Sequence, residues 1–190
     1  FESQVTDPNS DSKWNLAEQT INDVTQAHEE DVQFGFGVFS DWNDTAADSF
    51  NGFGAASNKV VPAKTNHASI ESELASTSPD GNTYMSAGIG LSEAVLNSSG
   101  NSNQQQATIF ITDGYPTGDT DDILRAACNH KSNLDADLFA VGFGGGTWKA
   151  FNHAIAAAGG TGYCNDADGD RIEHQQICNN RDLSNWQDWT

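Results

Sequence analysis

The run ATIFIT, residues 107–112, is almost wholly apolar and stops on the bare carboxylate of Asp113, followed at once by Gly114. A run that short has strand length. Its lack of polar alternation predicts a strand buried on both faces. Such a strand needs a layer above and a layer below it, and in a single chain helices supply both. The rest of the sequence offers them in alternation. KWNLAEQTINDVTQAHE, Lys13 to Glu29, spaces Trp14, Ala17, Ile21, Val24 and Ala27 along one helical stripe, with Asp11 or Ser12 as N-cap. Val32 to Phe39 alternates and then turns apolar, as a strand does, and Lys59 to Val61 before Pro62 reads as a short edge strand.

Ala68 to Ala75 is predicted as a helix capped by Asn66 or Thr65, and Tyr84 to Leu96 as a helix with Met85, Ile89, Ala94 and Leu96 inward. After residues 107–112 come a helix over Asp119 to His130, a second buried strand over Leu138 to Phe143, and a helix over Trp148 to Ala158. A short last strand is expected over Thr161 to Cys164. The expected fold is α/β: a doubly wound, mostly parallel sheet with helices on both faces. Residues 1–164 form the expected domain, and residues 165–190 an acidic C-terminal extension.

Charge narrows the function classes. Eight Lys and Arg stand against 27 Asp and Glu, a formal net charge of −19. That surface repels nucleic-acid phosphates and anionic lipid and favours cations. No apolar run reaches the length of a membrane span. Residue 1 is Phe, so the chain is read as processed or as a piece of a longer one. Cys164 and Cys178 are expected to pair, with Cys128 as a buried thiol in a helix. Sequons at Asn43 and Asn97 fall in polar stretches. With the low lysine content, these features point to a secreted or surface protein.

In open α/β sheets, ligands gather beyond the carboxyl ends of the strands, where Asp113 lies. The loops there share a pattern. ITDGYPTG follows a strand, SPDGNT precedes the small-residue helix MSAGIGLSEA, and AVGFG leads to a helix ending in AAAGGTGY. In this order the segments resemble the von Willebrand factor A domain over roughly residues 13–163. The resemblance implies a divalent cation, Mg²⁺ or Ca²⁺, held by three loops: an Asp-x-Ser-x-Ser, a Thr and an Asp. Carried over, the Thr is Thr83 and the Asp is Asp113. It also implies metal-dependent adhesion to a protein partner, with no general base or nucleophile for catalysis.

The first loop departs from the pattern, because only FESQVT precedes Asp7. Three accounts stay open. Strand 1 and its loop lie upstream; or residues 1–6 form a degenerate strand with Asp7, Asn9 and Asp11 as ligands; or a strand from another chain fills the place. A second cation candidate is the acidic run at Asp166, Asp168, Asp170 and Glu173, which half-matches a calcium loop; a solvated acidic turn is the competing reading. The five histidines show no metal spacing, and no G-x-S-x-G elbow exists. The sequence therefore points to a non-enzymatic extracellular adhesion or assembly module. The alternative is a structural subunit of a filament or matrix that has lost its metal site.

Overall fold

The computed structural model describes residues 13–39, 56–77, 82–99, 104–143, 148–165 and 171–179. In chain order the elements are α1 (Lys13–His28), β1 (Phe34–Phe39), β2 (Ala56–Ala63), α2 (His67–Ser76), α3 (Met85–Ser98), β3 (Ala107–Thr112), α4 (Thr120–Leu134), β4 (Asp137–Gly142), α5 (Lys149–Ala158), β5 (Cys164–Asn165), β6 (Arg171–Ile172) and α6 (His174–Asn179). Asp7, Asn9, Asp11, Asn43, Asp166, Asp168 and Asp170 lie outside the described residues, as do the three accounts of strand 1.

Phe34 and Phe36 alternate with glycines along β1, which pairs antiparallel with β2. Gly35 is needed there, because a Cβ would stand 2.9 Å from the Pro62 ring. Among the described residues β2 pairs only with β1, so Pro62 sits at an edge where its missing N–H is tolerated. Helices cover both faces of this ladder. Val60, Ile70 and Leu74 cluster with Phe34, Phe36, Trp14 and Ile21, which brings in α1 and α2. On the other face, Ala56 packs with Leu91 and Val95 of α3.

β3 and β4 form a parallel ladder in unbroken register, from Ala107 opposite Asp137 to Thr112 opposite Gly142. Phe110 and Leu138 point into the main core with Met85, Ile89, Ile123 and Phe151, so α3, α4 and α5 lie on this face. Phe39 stacks on Phe110 with ring centroids 4.7 Å apart, which ties the two ladders together although β1 and β3 do not pair. Gly88 makes room for that stack, since a Cβ there would fall 2.8 Å from the Phe39 ring.

On the α1 stripe, Val24 and Ala27 are exposed and Lys13 and Thr25 are buried, because the helix is rotated toward α2 and the end of β3. Three further expectations need correction. Burial of β3 and β4 on both faces does not hold. Ile109 is 59% exposed, and Phe139 and Val141 opposite and beyond it are exposed as well. These alternate positions share the face away from α3, α4 and α5. On α3 the buried residues are Met85, Ile89, Leu91 and Val95 rather than Ala94 and Leu96, because the helix packs against both ladders and so buries a wide stripe.

The third correction concerns the disulfide. Cys178 is bonded to Cys128, not to Cys164. Proximity in sequence favoured the nearer cysteine. However, α6 folds back onto α4 and α5, burying Ile177 in the core and bringing the Cys128 and Cys178 Cα atoms to 5.6 Å, ordinary disulfide spacing.

Candidate functional site

Where β3 ends, three segments meet. Thr112, fully buried, closes the strand, and its carbonyl accepts from the Phe143 N–H at 2.9 Å, holding the ends of β3 and β4 level. Asp113 and Gly114 follow. The loop then clasps the start of α3 reciprocally. The Thr117 N–H donates to the Thr83 carbonyl at 2.9 Å, and the Thr83 N–H donates to the Thr117 hydroxyl at 3.2 Å. Gly114 passes so close that a Cβ there would lie 3.1 Å from the Thr83 hydroxyl. The two residues implied by the family resemblance, Thr83 and Asp113, are thus brought to one corner although 30 positions apart.

The third segment is the start of α1. Lys13 donates from Nζ to Asp113 Oδ2 at 3.3 Å, across 100 positions of sequence. The two side chains are only 7% and 12% exposed. A lysine is rarely buried unless paired, and the first turn of a helix is where the macrodipole disfavours a cation. Asp113 answers both costs.

Sequence reasoning took Lys13 only as the start of a helix. The available signal was its type: one of eight basic residues in a chain of −19, placed at a helix N-terminus where acidic residues are the rule. Tyr115, two residues beyond Asp113, was also missed. It is 63% exposed, and its ring lies 6.1 Å from that of Trp148, which in turn stacks on the buried Phe151 at 5.2 Å.

This donor set does not fit a divalent ion bound directly to Asp113. Such an ion would sit about 2 Å from a carboxylate oxygen, in competition with the Lys13 ammonium already 3.3 Å from Oδ2. Among the described residues no group of three or more His, Cys, Asp or Glu side chains gathers for a metal.

The remaining predicted residues are dispersed. Glu173 is exposed and pairs with Arg171 at 2.9 Å, while Arg171 lies over the Tyr163 ring. Asn97 is exposed in the last turn of α3 rather than in a loop. Cys164 opens β5. His130 is buried on α4 against the Thr108 hydroxyl, 2.9 Å from Nε2.

Comparison with known proteins follows the same lines. A search of curated proteins finds no match. Among solved structures, the chain is similar to the crystal structure of manganese-loaded Plasmodium vivax TRAP protein, with a TM-score of 0.58 at 17% identity. The similarity covers 86% of this chain and 62% of that one, and at this identity it speaks to the fold alone. The sequence model of the von Willebrand factor type A domain matches residues 8–177. With most of its length so matched, this chain belongs to the von Willebrand factor type A domain family.

Proposed function

We propose that the chain is an extracellular recognition module that docks a protein partner on the loops beyond β3, without catalysing a reaction. The observation that carries this reading is Tyr115. An exposed aromatic, backed by Trp148 and Phe151 and set beside the Thr83–Asp113 corner, is the kind of rigid anchor that dominates protein interfaces. The family is one of interaction and adhesion modules, which gives the same direction. An aspartate already neutralised by a lysine offers neither a free base nor a nucleophile, which favours binding over catalysis. Extracellular residence is supported by the Cys128–Cys178 disulfide, and glycans at Asn43 and Asn97 belong to the same reading. Mg²⁺ or Ca²⁺ is the cofactor that the resemblance implies, and Lys13 opposes it at Asp113.

The test is binding of the labelled chain to intact cells and matrix of its source. Saturable binding is expected, weakened at least about tenfold by Tyr115→Ala, the size of loss typical of an interface anchor. Val61→Ala, an exposed residue on β2, should leave it unchanged. Binding that ignores Tyr115 would remove the proposed docking surface.

A second reading, a structural subunit of an extracellular filament or matrix, is favoured by the exposed apolar face of Ile109, Phe139 and Val141. Self-association would cover that face, with or without strand donation between chains.

A further inference from the structure

We propose that Lys13 supplies, from within the chain, the positive charge at the end of β3, so that the Thr83–Asp113 corner is complete without a divalent ion on Asp113. The inference goes beyond partner recognition and does not rest on it.

The ammonium is a fixed part of the fold. Lys13 is the first residue of α1, and its reach to Asp113 joins that helix to the end of β3, 100 positions away in sequence. The pair is buried, so solvent screens it weakly. The Thr83 side of the corner is held independently, by the two hydrogen bonds to Thr117 and by the close approach of Gly114. None of these contacts calls for a bridging ion.

A charge carried covalently has consequences that an exchangeable ion lacks. Chelators cannot remove it. It sets an ammonium, rather than an open coordination position, against the Asp113 carboxylate, and an ammonium with that partner does not call for an acidic side chain from outside. With a net charge of −19 around it, a corner that holds no exchangeable cation disfavours an acidic surface.

The experiment uses Mn²⁺ alone as probe. The purified, metal-stripped chain is titrated and free Mn²⁺ is read by electron paramagnetic resonance, for the unaltered chain, Asp113→Asn and Thr83→Ala. Circular dichroism identifies which variants are folded, and each folded variant is a separate comparison. Superimposable isotherms are expected, any residual uptake belonging to carboxylates elsewhere. A saturable site present in the unaltered chain and lost in either folded variant would overturn the proposal. Failure of Tyr115→Ala to affect cell binding would leave this result untouched, so the two ideas fail separately.

Discussion

Lys13 and Asp113 are coupled because each is buried and each is the other's answer to burial. Removing one partner leaves an uncompensated charge, a change that costs about 3–5 kcal/mol for buried pairs, whereas removing both costs far less. Lys13→Met and Asp113→Asn should therefore each lower the urea-derived unfolding free energy by about 3 kcal/mol, with the double variant losing much less than the sum. Additive losses would show that the pair is not coupled.

His130 gives a second residue-scale expectation. Burial pushes its pKa below the ordinary value of 6.5, and Glu93 and the Ala136 backbone oppose this only in part; Lys131 adds to the lowering and Asp137 resists it. The folded state keeps the ring neutral. As pH falls below 6.5, the unfolded chain takes up a proton that the fold refuses, so stability drops by up to about 1.4 kcal/mol per pH unit until the folded pKa is reached. Between pH 7 and 5 the unaltered chain should lose more stability than His130→Gln. Parallel losses in denaturant melts would remove the effect from His130.

At the scale of elements, α6 depends on a cross-link. Cys128 and Cys178 close a loop of 50 residues, worth about 4 kcal/mol of denatured-state entropy in the chain-entropy account. Reduction, or Cys178→Ser, should lower stability by up to that amount, whereas Cys164→Ser should not. A large loss from Cys164→Ser and none from Cys178→Ser would reverse the pairing. The contrast also shows where the sequence was legible. Helix and strand periodicity marked the extent of α1, β3 and α5 closely, with Gly159 ending α5, but on α1 it put Val24 inward where the fold buries Thr25. Cysteine pairing was not legible, because it depends on how α6 folds over α4, and 14 residues of separation looked shorter than 50. The same limit applied to the site. Thr83 and Asp113 could be named from loop chemistry, but Lys13 meets Asp113 only through tertiary packing across 100 positions. Likewise ATIFIT read as doubly buried because composition alone cannot tell which of two apolar faces a helix covers.

The whole molecule sets a strong like charge against an apolar surface. Copies at −19 repel one another at low ionic strength, while Ile109, Phe139 and Val141 offer area that water solvates poorly. Salt decides between them, because the screening length contracts from about 10 Å at 0.1 M to about 3 Å at 1 M while apolar attraction is not weakened. Sedimentation equilibrium should therefore find a larger weight-average mass in 1 M than in 0.1 M sodium chloride at equal chain concentration. Phe139→Glu should abolish the increase, because it places a charge in the middle of the face, whereas Val61→Glu on β2 should not. If the mass stays that of one chain in high salt, the face does not join copies and the filament reading loses its support. If it rises equally in both variants, association runs through another surface. A rise that Phe139→Glu alone removes would make the uncovered face of β3 and β4 an assembly surface, with the acidic exterior as the brake that keeps copies apart until salt or a basic partner neutralises it.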